Sequence, residues 1–276
     1  MTFDATSLAH RSAELLAELR AGTPLVQNIT NFVAMDVSAN VLLALGAAPA
    51  MIHAAEEAGE FVPHASALVV NIGTLSKDFV VGADIAASAA HMHAKPWVLD
   101  PVGVGATKFR DDTVRQLLRH RPSVIRGNAS EIMSVARLAG LKSETKGPRG
   151  VDSVNTTTEA TEAAIWLAKN NSCVVAATGE FDLVTDGVRT ARLANGTVLM
   201  TRVTALGCAL SSVVAAFCAL TDDKFEATIA ALSVYAIAGE MAEEYANRPG
   251  SFRVAFIDAL DAIDADAIKT RLRLLP

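Results

Sequence analysis

The chain has 276 residues, 51% hydrophobic, 20% charged and only 5% aromatic, with a mean hydropathy of +0.32, which excludes a disordered, collagen-like or disulfide-scaffold protein and predicts a large core of small aliphatic side chains. With 30 Asp plus Glu against 24 Lys plus Arg the net charge is −6, so no general attraction to nucleic acid or anionic lipid is expected, and the partners should be small molecules or copies of the chain itself. Three scattered cysteines without a CxxC pair, Cys173, Cys208 and Cys218, and an N-terminal segment carrying Asp4 and Glu14 without an apolar run, fit a reducing compartment and predict a cytoplasmic location.

In chain order, a helix is predicted from Ser7 to Ala21, stopped by Gly22. Short apolar runs then alternate with helical stretches. The runs are Leu25–Val26, Ala50–Ile52, Leu68–Val70, Trp97–Leu99, Val124–Ile125 and Val174–Ala177, each too short for a helix and read as a strand buried on both faces. Between them helices are predicted over Phe32–Leu45, stopped by Gly46, then Ser76–Ala94, Asp111–His120, Asn128–Ala139, stopped by Gly140, and Thr157–Lys169. From Asp182 to Met200 polar and apolar residues alternate around Asp186-Gly187 and Asn195-Gly196, which predicts antiparallel strands at one sheet edge. Helices follow at Leu206–Leu220, Lys224–Tyr245 and Phe252–Ile263. Two uncharged stretches, Val37–Ala55 and Val203–Thr221, are Ala-rich and broken by polar residues, and they read as buried helices rather than membrane spans. The stretch Lys142–Ser153 is the one long loop, either a flap or a surface excursion. The whole predicts an α/β fold in one domain over residues 1–276, a mostly parallel central sheet with helices on both faces.

In such a sheet ligands gather at the carboxyl ends of the strands. Polar or glycine residues follow five of the runs: Gln27-Asn28, Asn71-Ile72-Gly73, Asp100-Pro101, Arg126-Gly127-Asn128 and Thr178-Gly179-Glu180. There is no Walker A lysine, no dinucleotide fingerprint beyond Gly103-Val104-Gly105, no GxSxG elbow and no HExxH or Cys/His zinc spacing. The most informative segment is Val203–Phe217 (VTALGCALSSVVAAF). Its Leu206, Gly207 and Cys208 open an uncharged helix, so their N–H groups should be free to bind an anion or stabilise charge on a phosphoryl group in transit. Cys208 there should have a lowered pKa, and it fits a base, a nucleophile or a small buried residue. Asn128 and Glu131 fit a helix capping box, whereas Glu131 with Asp100 fits a site for hydrated Mg²⁺ screening nucleotide phosphates. Arg126, at a strand end, suits a phosphate contact.

These segments, PLVQNITNFVAMDVSAN, ALGAAPAMIHAAEEA, ALVVNIGTLS, VLDPVGVGAT, IRGNASEI, VVAATGEFDLVTDG, VTALGCALSSVVAAF and a final PGSF, run across nearly the whole chain, which resembles the hydroxyethylthiazole kinases of the ribokinase-like superfamily. The resemblance implies a ribokinase-like three-layer sandwich and ATP- and Mg²⁺-dependent phosphorylation of the hydroxyl of 4-methyl-5-(2-hydroxyethyl)thiazole in thiamine biosynthesis or salvage. It implies that Met51 touches the thiazole with Asn28 close by, that Arg126 and Thr178 contact ATP, that Asp100 and Glu131 serve the metal, and that Cys208 stands where the superfamily places a catalytic aspartate. It also implies a homotrimer with sites at subunit contacts. One departure is visible: where the family commonly has glycine as a substrate contact, this chain has Ala205, followed by Leu206. A Cβ at that position is expected to resist a left-handed conformation. Two other readings remain at this stage, a kinase of another small alcohol such as hydroxymethylpyrimidine and a non-catalytic thiazole- or nucleotide-binding protein.

Overall fold

The structure of the protein, a computed structural model, describes residues 5–142 and 153–275. The predicted long loop therefore lies, apart from its two end residues, outside the described residues. Among the described residues, nine strands form one sheet in the order β2-β1-β3-β4-β5-β6-β7-β8-β9. Strands β1 (Leu25–Ile29), β2 (Ala48–Ala50), β3 (Ala67–Asn71), β4 (Trp97–Asp100), β5 (Val124–Asn128) and β6 (Val174–Thr178) are parallel. The edge strands β7 (Asp182–Thr185), β8 (Thr190–Leu193) and β9 (Leu274–Leu275) run antiparallel.

Eleven helices are described: α1 (Ala5–Gly22), α2 (Met35–Leu45), α3 (Ala58–Phe61), α4 (Lys77–Met92), α5 (Lys108–Leu118), α6 (Ala129–Leu138), α7 (Ser153–Asn171), α8 (Leu206–Cys218), α9 (Lys224–Tyr245), α10 (Pro249–Ala262) and α11 (Ala265–Arg271). Two cores result, one on each sheet face. Because side chains alternate along a strand, Ala67 and Val69 of β3 enter the core shared with α1, α2, α8, α9 and α10, while Leu68 and Val70 enter the one shared with α4 to α7. This is the expected three-layer α/β sandwich.

Several boundaries differ from expectation for identifiable reasons. The second strand is Ala48–Ala50 rather than Ala50–Ile52, because Gly46 closes α2 in a left-handed turn (φ 94°) and Ala48 N–H immediately donates to Pro24 O, bringing Ala48 beside Leu25. Helix α2 begins at Met35 rather than Phe32, since Asn31 Oδ1 accepts from the N–H groups of Val33 and Ala34 and holds those residues in a turn. Helix α5 starts earlier than expected, at Lys108, where Thr107 Oγ1 caps Arg110 N–H. The region of alternating residues ends in a 3₁₀ turn over Val198–Arg202 instead of a strand.

Of the helices from the two uncharged stretches, α8 is buried over nearly its whole length, whereas α2 buries one face and leaves Leu43 exposed on the other. Among the described residues, α9 alone is long and apolar enough to cross a membrane, and 83% of its apolar window is buried in the core. Helix α4 approaches the segment after β2 so closely that a Cβ on Gly82 would stand 2.4 Å from His53 O.

Candidate active site

The site is assembled where the carboxyl ends of β1, β3, β4, β5 and β6 meet the first turn of α8. Ala205 is the N-cap of α8 and is left-handed, φ 68° and ψ −4°. A non-glycine residue there costs about 1 kcal/mol. Alanine offers no side-chain cap to the orphan amides of the first turn, Gly207 is exposed and Cys208 is half-buried. The turn is therefore open to an anion, and three anchors fix it. The Leu206 side chain is buried, Tyr235 Oη donates to Leu206 O at 2.7 Å, and Arg126 Nη1 donates to Gly207 O at 2.9 Å.

Behind the turn runs a chain of amides. Asn31 Nδ2 donates to Cys208 Sγ (3.2 Å) and to Asn71 Oδ1 (2.9 Å), Asn71 Nδ2 donates to Asp100 Oδ2 (2.6 Å), and Ser211 Oγ donates to the same oxygen (2.8 Å). Arg126 Nη1 lies 3.8 Å from Asp100 Oδ2, and Arg126 Nη2 donates to Thr178 Oγ1 at 2.6 Å. Among the described residues, Asp100 Oδ1 is buried without any partner, as is Arg126 Nε. Burial pushes the Asp100 carboxyl up to about 6 against the pull of Arg126 and the Ser211 hydrogen bond, with the Glu131 charge adding to the rise.

The thiol behaves opposite to expectation. Burial, and after it the charge of Asp100, raises the Cys208 pKa above its ordinary value despite the bonds from Asn71 and Asn31. Desolvation and the neighbouring carboxylate thus favour the neutral thiol at the head of α8.

Beside the turn a cavity of about 670 Å³ opens. Arg126, Thr178 and Gly207 are among its polar lining, and Met200, Leu210, Leu232 and Ala236 among its apolar lining. Asp182 also lines it. Burial pushes this carboxyl up to about 6, although Gly179 N–H donates to it and Arg126 draws it down.

Of the residues singled out in the sequence, Arg126, Thr178, Leu206 and Gly207 border this cavity, and Ala205, Cys208 and Asp100 adjoin them through the contacts above. Glu131 forms the capping box: its Oε2 accepts from Asn128 N–H (2.8 Å), Asn128 Oδ1 accepts from Glu131 N–H (2.9 Å), and the remaining Oε1 accepts from Gly103 N–H (2.9 Å). Asn28 is fully buried beneath the rim, where its Oδ1 accepts from Ser212 Oγ and its Nδ2 donates to Val26 O, bracing α8 on β1. Half-buried Met51 follows β2, with three strands, β1, β3 and β4, between it and the strand carrying Arg126. Met51 and Arg126 therefore stand apart along the sheet, Met51 outside the cavity that Arg126 lines.

Sequence reasoning passed over Asn31, Ser211, Tyr235 and Arg110. Arg110 donates to Ile72 O, Val102 O and Gly73 O and so ties the loops after β3 and β4 together. A polar residue inside an apolar run was the available signal for Ser211 and Tyr235, since such a group is buried only with a partner.

The profile of the hydroxyethylthiazole kinase family matches residues 16–266. The chain is 53% identical over 261 residues to a hydroxyethylthiazole kinase of Rhizobium johnstonii, covering 94% of this chain and 96% of that protein. It is 53% identical over 259 residues to one of Cereibacter sphaeroides, with the same shares covered. The solved structure of a hydroxyethylthiazole kinase protein from Pyrococcus horikoshii OT3 superposes with a TM-score of 0.88 at 39% identity, covering 96% of this chain and 98% of that one. The pyridoxal kinase of Staphylococcus aureus in complex with AMP-PCP and pyridoxal shares the fold at a TM-score of 0.57 and 14% identity, over 79% of this chain and 88% of that one.

Proposed function

This chain belongs to the hydroxyethylthiazole kinase family, and from that premise we propose that it transfers the γ-phosphoryl group of ATP to the hydroxyl of 4-methyl-5-(2-hydroxyethyl)thiazole, a step of thiamine salvage. The observation that carries this reading is the uncapped first turn of α8, which borders a cavity that Arg126 and Thr178 also line. ATP occupies that cavity, its base on the apolar wall and its phosphates toward Arg126 and the α8 turn. The thiazole lies toward Met51, and its hydroxyl meets the γ-phosphoryl beside Cys208.

Phosphoryl transfer proceeds through a loose transition state that asks little of a base and much of fixed charge. The amides of Leu206, Gly207 and Cys208 and the Arg126 guanidinium meet charge on the equatorial oxygens. The Cys208 thiol, held neutral, orients the attacking hydroxyl rather than deprotonating it in advance.

A Mg²⁺ ion is part of this reading, and the unpartnered Asp100 Oδ1 fits one. Among the described residues no cluster of three or more His, Cys, Asp or Glu could hold a metal alone, so Asp100 with Glu131 nearby would share it with the nucleotide. Such an ion supplies charge neutralisation on the phosphates. A homotrimer is proposed as well, supported by exposed apolar side chains at Phe32, Val33, Leu43, Val81 and Ile85. The free thiols of Cys173, Cys208 and Cys218 support a cytoplasmic location.

The test is ADP release by purified protein with Mg-ATP and the thiazole alcohol, beside hydroxymethylpyrimidine and ribose. Preference for the thiazole is expected. Preference for another alcohol overturns the substrate, and binding of both ligands without product overturns catalysis.

A further inference from the structure

The left-handed residue at the head of α8 is an alanine, a conformation that an L side chain resists, and no hydrogen bond from its own side chain compensates. Something else must hold the turn. Arg126 grips Gly207 O from the cavity side, but it is shared with Thr178 and Asp100 and is the group that would swing toward incoming phosphates. Tyr235, 1% exposed on α9 at the cavity wall, donates its hydroxyl to Leu206 O at 2.7 Å. Its ring is pinned edge-on by Phe256 at 4.8 Å, and Phe256 stacks on Phe252. Burial raises the Tyr235 pKa, so the hydroxyl stays a donor throughout the working range.

Leu206 is the first residue after the strained alanine, and its carbonyl belongs to the peptide whose N–H is that of Gly207. A hydrogen bond on that oxygen fixes the peptide plane and with it the direction of the Gly207 amide. We propose that Tyr235 is a positioning residue for phosphoryl transfer, its hydroxyl locking the Leu206–Gly207 peptide so that the α8 donors stay aimed at the transferred group although Ala205 strains the turn. The proposal rests on the kinase reading for its kinetic arm and not for its spectroscopic one.

Tyr235→Phe removes the one hydroxyl and keeps the ring. Expected is a fall in kcat of about tenfold, of the size a slightly misdirected donor produces, with KM for the thiazole alcohol within about twofold of wild type. In protein labelled with ¹⁵N-glycine, the Gly207 amide, assigned by loss of its signal in Gly207→Ala, shifts in Tyr235→Phe. Adding Ala205→Gly, which accepts the left-handed conformation without strain, restores kcat to within about threefold and returns the Gly207 signal toward its original place. Phe256→Leu loosens the same packing without touching the hydroxyl. It lowers Tm while kcat at 25 °C stays near wild type.

The proposal is overturned if Tyr235→Phe keeps wild-type kcat and an unmoved Gly207 amide, or if Phe256→Leu loses as much kcat, which would reduce Tyr235 to packing. Failure of the kinase reading looks different: wild type itself then releases no ADP with the thiazole alcohol, while the amide shift and its rescue still decide what Tyr235 does.

Discussion

Asp100 and Cys208 show how burial, more than residue type, sets what a side chain can do. A carboxyl whose folded pKa of about 6 lies above its ordinary 3.8 binds its proton more tightly in the folded state than in the unfolded one. Its contribution therefore favours folding at low pH and becomes a cost as pH rises through about 6, reaching about 3 kcal/mol at neutrality by the usual conversion of a pKa difference. Asp100→Asn removes that charge. Without metal or nucleotide, this variant should melt higher than wild type at pH 8, with the gain shrinking at pH 5, while its kinase activity falls at least a hundredfold. Differential scanning calorimetry in a chelator, beside the ADP-release assay, checks both halves. For Cys208 the raised pKa predicts that Cys208→Ala loses about tenfold or less in kcat and that kcat between pH 7 and 9 shows no rise attributable to a thiolate. A thousandfold loss, or a titration in that window present in wild type and absent in the variant, would make the thiol a general base.

At the scale of elements, most of the fold was legible. Strands such as Leu68–Val70 and Val174–Ala177 stand out because both faces are buried and the run is unbroken. Misplaced boundaries lie where one side chain decides the backbone, as Asn31 does ahead of α2, and no periodicity reports such a bond. The site was legible at its strand ends, Asp100, Arg126 and Thr178, because chain order and sheet chirality put strand ends together. Its supporting amides and hydroxyls were not, since Asn31, Ser211 and Tyr235 acquire meaning only from partners 40, 111 and 29 residues away. The closeness of α4 to the segment after β2 makes another prediction. Gly82→Ala forces His53 O away and shifts the neighbourhood of Met51, which should cost about 1–3 kcal/mol of stability and raise KM for the thiazole alcohol while leaving KM for ATP unchanged. Chemical denaturation and steady-state kinetics measure the two.

For the whole molecule, exposed Phe32 lies against His53, two residues after Met51, and Val33, Leu43, Val81 and Ile85 are exposed in the same half of the chain. If the protein is a homotrimer whose subunits meet on these side chains, Leu43→Arg or Val81→Arg shifts it to monomer in analytical ultracentrifugation, with activity falling in step. A monomeric wild-type species with full activity would remove the trimer from the reading.

The layer containing α1 has a bearing on how the protein is made. Helix α1 packs against α9 and α11, so one side of the sandwich joins Ala5–Gly22 to elements as late as Ala265–Arg271. During synthesis the opposite side, α4 to α7, can close over the parallel strands as it emerges from the ribosome, while α1 must wait, greasy face uncovered, for partners more than 200 residues downstream. Nascent chains stalled before α9 should thus be the species that chaperones hold.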